Sequence, residues 1–300
     1  MSFLAELGFV FVAGLLTCLA TGLGAIPFFV VDDVSERWTV ALWGLASGIM
    51  LAASFFGLLN EGLAESTGLP ILLGVGVVVG VVLVVVSDRV LDRVDVGGHD
   101  HVPDEQSHDH AETHTDGGDH KHGHEHEHVP AEAIAEGDLK KLVLILGVLT
   151  VHSFPEGVAV GVSFAEMGLE GGVAVLGFVV PVLAVMMTVS ISVHNIPEGL
   201  AISIPLKNLG MSKWRMVGAA IFSSLPQPIG AVIAFVFVRW AQQFLPFGFG
   251  FAAGAMIYLV LTEFVPEALE EGKHLPNGGK FELLAGVLAG VAVMAPLLFV

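Results

Sequence analysis

Eight long apolar stretches dominate this 300-residue chain and limit what it can fold into. They cover roughly 4–31, 38–62, 70–87, 139–166, 183–207, 212–240, 248–271 and 280–300. A helix needs about 20 mostly apolar residues to cross the hydrocarbon core of a bilayer. The chain is only 14% charged, whereas soluble domains carry about 25% charged residues. The pattern therefore predicts an all-α integral membrane protein with eight transmembrane helices in a lipid bilayer.

The positions of Lys and Arg test this number of spans. With eight spans the connections alternate between two sides, and all 12 Lys and Arg residues except Arg239 then fall on one side. Positive residues concentrate in cytoplasmic loops. A ninth span within 167–182 would destroy the asymmetry, so we interpret that segment as a connector. We therefore predict a multi-pass protein of the cell membrane with both termini extracellular.

A polar segment, 88–138, separates spans 3 and 4. Ten of the chain's 13 histidines lie there, between His99 and His128. The densest run contains His120, His122, His124, His126 and His128. Such a composition cannot bury a core, and its imidazoles bind Zn²⁺ readily but loosely. We predict a His/Asp/Glu-rich, disordered cytoplasmic loop that serves as a metal sensor or buffer. The acidic net charge of −18 argues against a nucleic-acid partner.

Two internal repeats organise the spans. The segment TVHSFPEGVA, at Thr150–Ala159, matches SVHNIPEGLA, at Ser192–Ala201, with an offset of 42 residues. A weaker repeat with an offset of 206 aligns Thr21 with Gln227, Gly48 with Gly254, Glu61 with Glu267, and Gly80 with Gly286. It relates spans 1–3 to spans 6–8, and the odd number of intervening spans inverts the second copy. Inverted repeats are typical of secondary transporters, whose site lies near the midplane between them.

The stronger repeat brings one His/Glu pair to each of spans 4 and 5. His152 and Glu156, like His194 and Glu198, are four residues apart and share a helical face. At 1.5 Å per residue, both histidines lie about 18–20 Å from the cytoplasmic edge, near the midplane. Ionisable groups at that depth are costly unless they are paired or bound to metal. Two imidazoles and two carboxylates suit Zn²⁺, and also Fe²⁺ or Mn²⁺, so we predict a metal site.

Three further carboxylates lie towards the ends of spans. Glu263 and Glu267 share a face of span 7 near its cytoplasmic end, and Glu61 closes span 2 on the outer side. We interpret them as exit and entrance ligands. Solvation of helix ends at the membrane interface is the alternative for Glu61 and Glu267.

The HSFPEG and HNIPEG segments resemble the paired fourth- and fifth-span motifs of the ZIP (Zrt/Irt-like) transporters. The resemblance extends to the eight spans and the His-rich loop. It implies a 3+2+3 arrangement, with spans 1–3 and 6–8 around spans 4 and 5. The corresponding segments are 1–87, 88–138, 139–207 and 208–300. It also implies uptake of zinc, or of the related Fe²⁺, Mn²⁺ or Cd²⁺, towards the cytoplasm. The metal is then substrate, with no cofactor, and whether two copies form a homodimer stays open.

The resemblance further implies a second metal position, where Asn195 joins Glu156 and Glu198. Ser153 and Gln227 stand where many members have Asn and Glu. A hydroxyl and a neutral amide are weaker ligands for a dication than those groups. We therefore expect one tightly held ion and a weak second position.

Two other function classes compete with this interpretation. A cation-diffusion-type efflux carrier also uses a His-rich loop, but it predicts fewer spans and a soluble C-terminal domain. An intramembrane zinc hydrolase would be expected to carry an H-E-x-x-H segment on a membrane helix, and none of the eight spans contains one. We predict a transporter rather than an enzyme.

Overall fold

The structure is a computed structural model that describes residues 3–31, 34–66, 68–95, 153–165, 167, 172–208 and 210–295. His152 and the five histidines of the dense loop run lie outside the described residues. So does most of the predicted loop.

Eight α-helical stretches occur within the described residues, one on each predicted span. They are α1 (Phe3–Leu23), α2 (Glu36–Ala64), α3 (Ile71–Asp95), α4 (153–163), α5 (Val182–Asn208), α6 (Lys213–Trp240), α7 (Gln242–Glu271) and α8 (Lys280–Val293). Within this part of the chain, α1, α2, α6 and α7 are long and apolar enough to cross a membrane. Helix α3 continues past the predicted span end at residue 87, into the segment predicted to be loop.

The connector before α5 contains a short antiparallel hairpin that the all-α prediction missed. Strand β1 (Val173–Val175) pairs with β2 (Phe178–Val180). Leu176 and Gly177 have φ values of 50° and 84°, and positive φ at both central residues is the requirement of a type I′ hairpin turn. Phe178 packs on Phe9 of α1, with ring centroids 4.8 Å apart, so the hairpin is attached to the helical core.

Glycines allow the helix backbones to touch. Helix α2 packs along α8, and α3 packs along α7. A Cβ atom at Gly48 would lie 2.2 Å from the Val287 carbonyl oxygen, and one at Gly254 would lie 2.3 Å from the Val77 carbonyl oxygen. Helices in lipid associate largely through the close packing that small residues permit. Side chains larger than hydrogen are therefore excluded at these crossings.

The same contacts follow the predicted repeat, with one correction. Gly76 of α3 faces the carbonyl of Phe247, and Gly286 of α8 faces that of Ala41. Ala41 and Phe247 keep the predicted 206-residue offset, but the two glycines are 210 residues apart. The alignment of Gly80 with Gly286 is thus wrong by about one helical turn. The change in offset arises in the connection between the second and third helices of each copy.

Helices α1 and α6, which the repeat relates to each other, run antiparallel in contact. Gly14 of α1 lies against Pro228, whereas Gly22, further along α1, lies against Ile221. The contact therefore moves backwards along α6 as it moves forwards along α1. This is the geometry expected of an inverted repeat.

Helices α4 and α5 make equivalent contacts with α6 and α1. Gly157 of α4 faces the carbonyl of Gln227, and Gly199 of α5 faces the carbonyl of Thr21. The two glycines are separated by the offset of 42, and Thr21 and Gln227 by the offset of 206. The two sequence repeats therefore belong to one pseudo-two-fold arrangement that exchanges α4 with α5 and α1 with α6.

Two π-helical segments also obey this symmetry. They lie at Ala53–Leu59 in α2 and at Val260–Phe264 in α7. Adding 206 to the residue numbers of the first segment gives a range that contains the second. A π-bulge inserts an extra residue into the helix, and such insertions often mark functional sites. Neither segment was predicted from the sequence.

Candidate metal site

Three ionisable side chains meet between α4 and α5. The ligand atoms of Glu156, His194 and Glu198 all lie within 4.8 Å of one another. Glu156 is 2% exposed and His194 is 1% exposed, while Glu198 is half-buried. In the described part of the chain, this is the only group of three or more His, Cys, Asp or Glu residues that could hold a metal ion. Three of the four predicted primary ligands are thus brought together.

His194 of α5 and Glu156 of α4 are in direct contact. Nε2 of His194 lies 3.0 Å from Oε1 of Glu156. In a tetrahedral zinc site with bonds of 2.0–2.2 Å, neighbouring ligand atoms are about 3.3 Å apart. The two atoms would therefore need to separate by only about 0.3 Å to become neighbouring ligands of one zinc ion. A neutral imidazole uses its unprotonated nitrogen as the ligand.

The other oxygen of Glu156 faces an amide. Gln227 Nε2 donates to Glu156 Oε2 over 2.5 Å, and Asn195 Nδ2 donates to Gln227 Oε1 over 3.1 Å. Asn195 also donates to the carbonyl oxygen of Thr17, at 2.8 Å. Asn195 and Gln227 are fully buried. The two residues that the resemblance connects with a second metal therefore form a hydrogen-bonded chain that ends on Glu156.

A break in α6 positions Gln227. The helix is interrupted at Ser224 and Leu225, and it resumes at Pro226, which begins the second part. Proline suits the first turn of a helix because its missing N–H would have no partner there. The new first turn places Gln227 against α4, where its backbone touches Gly157.

Ser153 binds protein rather than the group of ligands. Its hydroxyl donates to the carbonyl oxygen of Ser223 at 3.2 Å. Ser153 and Asn195 are related by the offset of 42, and Thr17 and Ser223 by the offset of 206, so the two bonds to carbonyls are equivalent. Each attaches a helix with an HxxPEG motif to its neighbour. Thr17 and Ser223 were missed from the sequence because their backbones accept the bonds; only the repeat offset could have paired them.

The remaining predicted ligands lie away from Glu156, His194 and Glu198, or outside the described residues. Glu61 is near the end of α2, Glu263 is in the π segment of α7, and Glu267 is one turn further on; all three are half-buried. None belongs to the group formed by Glu156, His194 and Glu198. The roles of these glutamates and of His152 therefore stay predictions.

Comparison with known proteins identifies the family. The profile of the ZIP zinc transporter family matches residues 7–298. The chain belongs to this family. Zinc transporter ZupT of Corynebacterium aurimucosum is 29% identical over 303 residues, which is 97% of each chain. Zinc transporter ZIPB of Bordetella bronchiseptica is 29% identical over 293 residues, covering 96% of this chain and 80% of that protein.

Other relatives are longer than the matched region. A relative from Arabidopsis thaliana is 35% identical over 253 residues, which is 84% of this chain but 33% of that protein. This ZIP chain thus spans about a third of the length of that relative. The family is one of zinc transporters, not of enzymes. Membership therefore implies a multi-pass membrane protein that handles divalent metal as substrate rather than as cofactor.

Proposed function

We propose that this ZIP protein carries Zn²⁺ across the cell membrane towards the cytoplasm, through a site at the middle of the bilayer. Glu156, His194 and Glu198 bind the ion together with His152. The convergence of three ligand atoms within 4.8 Å carries this proposal. They come from two helices that the HxxPEG repeat relates, so His152 is the counterpart of His194.

The charges of this site match one divalent ion. Glu156 and Glu198 supply two negative charges, and the histidines bind as neutral imidazoles. One Zn²⁺ makes the set neutral, which matters because charge is costly inside a membrane. Four ligands also meet the four-coordinate preference of zinc. Fe²⁺, Mn²⁺ and Cd²⁺ are the related ions that the same groups would bind.

Eight spans in the 3+2+3 arrangement surround the path of the ion. The equivalent contacts of α4 with α6 and of α5 with α1 support a site on the axis between two inverted copies. Both termini are extracellular and the His-rich loop is cytoplasmic in this proposal. Glu61 then serves as an entrance ligand, Glu263 and Glu267 serve at the exit, and the loop buffers ions that have crossed.

The second metal position is weak in this protein. Asn195 and Gln227 are neutral, and the side-chain oxygen of Gln227, the atom that would bind a metal, already accepts a hydrogen bond from Asn195. A second dication close to the first would be strongly repelled at low dielectric, with no added negative charge to compensate. We therefore assign one tightly held ion to the membrane site.

Metal flux in proteoliposomes tests this function. The purified chain is reconstituted, and uptake of Zn²⁺, Cd²⁺, Fe²⁺ and Mn²⁺ is compared with uptake by protein-free liposomes. We expect saturable zinc uptake that exceeds leakage into empty liposomes. Correctly folded protein that gives no flux with any of these ions would contradict the proposal. Peptide hydrolysis without flux would instead favour the zinc hydrolase class.

A further inference from the structure

We infer that Gln227 determines metal preference by keeping one oxygen of Glu156 away from the transported ion. The inference rests on the proposed function, because it concerns the same site. The two oxygens of Glu156 have different partners: Oε1 lies 3.0 Å from His194 Nε2, and Oε2 accepts the Gln227 amide at 2.5 Å. Glu156 is thus left with one oxygen, Oε1, on the side of the other ligands.

The orientation of the Gln227 amide is fixed by its second partner. Its Oε1 accepts from Asn195 Nδ2 at 3.1 Å, and Asn195 is itself held on the Thr17 carbonyl. Turning the Gln227 amide over would set its oxygen against the Glu156 carboxylate and its NH₂ against that of Asn195. Both contacts would be repulsive. The N–H therefore faces Glu156.

The backbone of Gln227 also cannot approach or leave Glu156 unless α4 and α6 move relative to each other. A Cβ atom on Gly157, the residue after Glu156, would lie 2.2 Å from the Gln227 carbonyl oxygen. The α4 and α6 backbones are therefore in direct contact beside the hydrogen bond. The side chain of Gln227 is fully buried, so water does not compete for its amide.

This arrangement favours an ion that needs few ligands. A carboxylate with both oxygens available can bind a metal through two atoms, but a carboxylate with one oxygen capped supplies a single atom. Zinc is satisfied by four ligand atoms, one from each of four residues. Mn²⁺ favours six-coordinate sites rich in oxygen. The Gln227 amide thus removes an oxygen that Mn²⁺ would use and that Zn²⁺ does not need.

The test replaces the amide in the full-length protein. Gln227→Met keeps the length of the side chain but removes the donor, and zinc and manganese uptake are measured separately in proteoliposomes. We expect the ratio of apparent affinities, zinc over manganese, to fall about tenfold, the usual effect of removing a group that orients a metal ligand. Ser163→Ala is the matched control. Ser163 is buried two turns beyond Glu156 on α4, its hydroxyl donates to the Val160 carbonyl oxygen of the same helix at 2.6 Å, and its removal should leave the ratio unchanged.

Gln227→Asn provides a second variant if the Met variant does not fold. It retains a buried amide but is too short to reach Glu156, so it should lower the ratio similarly. If folded Gln227→Met or Gln227→Asn keeps the wild-type ratio of zinc to manganese affinity, the inference is wrong, while the proposed function in zinc transport is unaffected. A wild-type protein that moves neither ion would instead overturn the proposed function and the inference with it.

Discussion

Glu156 of α4 contacts both neighbouring helices at the proposed site. It is the carboxylate that contacts α5 through His194 and α6 through Gln227. A buried carboxylate is costly unless it is hydrogen-bonded or paired with a cation, and here Oε2 accepts the Gln227 amide while Oε1 lies 3.0 Å from the His194 ring nitrogen. In the proposed function, zinc binds between Oε1 and the imidazole while the amide keeps Oε2 in place.

Changing Gln227 to Glu should create a second ion position. The new carboxylate adds the negative charge needed to offset a second dication, so Gln227→Glu should bind two intramembrane zinc ions per chain where the unmutated core binds one tightly. The measurement is equilibrium zinc binding to protein lacking His99–His128, which removes the loop's background. Two sites of similar high affinity in the unmutated core would contradict this prediction.

The sequence predicted which ionisable side chains converge better than it predicted their surroundings. The i, i+4 spacing and the repeat were sufficient to select Glu156, His194 and Glu198, because helical geometry and membrane depth both follow from residue counting. The bond from Gln227 to Glu156 was not predicted. It depends on the break in α6 and on how closely α4 approaches α6, and neither is encoded in local spacing.

At the scale of helices, glycine contacts hold the elements together. Gly199 shows this most directly, since a Cβ atom there would lie 1.8 Å from the Thr21 carbonyl oxygen. The equivalent glycine of α4, Gly157, has the same relation to Gln227. The distances between helices around the site are therefore set by residues without side chains.

Gly199→Ala should destabilise the protein, whereas Gly218→Ala should not. The added methyl group at Gly199 must push α5 away from α1, and such overpacking typically costs about 1–3 kcal/mol. A Cβ atom at Gly218 of α6 would meet nothing within 4 Å, so Gly218 is the matched control. The melting temperatures of both purified variants check this, and equal values for the two would refute the packing argument.

Element boundaries show what the apolar pattern can and cannot predict. Long apolar stretches located each helix that the structure describes, because burial in lipid requires them. The pattern missed the hairpin, whose turn depends on positive φ at Leu176 and Gly177. It also misaligned α3 with α8, since each helix has two glycines four residues apart and a shift of one turn still aligns one glycine with another.

The whole molecule combines an apolar, pseudo-symmetric core with one strongly polar insertion. The described helices make equivalent contacts under the two offsets, while 10 of the 13 histidines lie in a single segment outside them. An inverted pair of repeats provides two similar halves around one site. The loop is hydrophilic and lies outside the predicted spans, so transport should not require it.

Deleting His99–His128 should leave substantial zinc uptake and remove much of the metal binding on the cytoplasmic side. The loop's histidines bind metal loosely, but the predicted path lies within the spans. Zinc uptake and total zinc binding are compared between the deletion variant and the full-length protein. A well-folded deletion variant without flux would make the loop part of the path.

In the proposed function, zinc crosses the membrane through the site formed around Glu156. Zinc uptake into proteoliposomes by Glu156→Ala probes this route, with Ser190→Ala as control. Ser190 is a buried residue one turn before His194, and its hydroxyl binds Met186 and Met294. We predict that folded Glu156→Ala takes up zinc no faster than empty liposomes, while Ser190→Ala retains most activity. Wild-type uptake by folded Glu156→Ala would show that zinc does not need this site to cross.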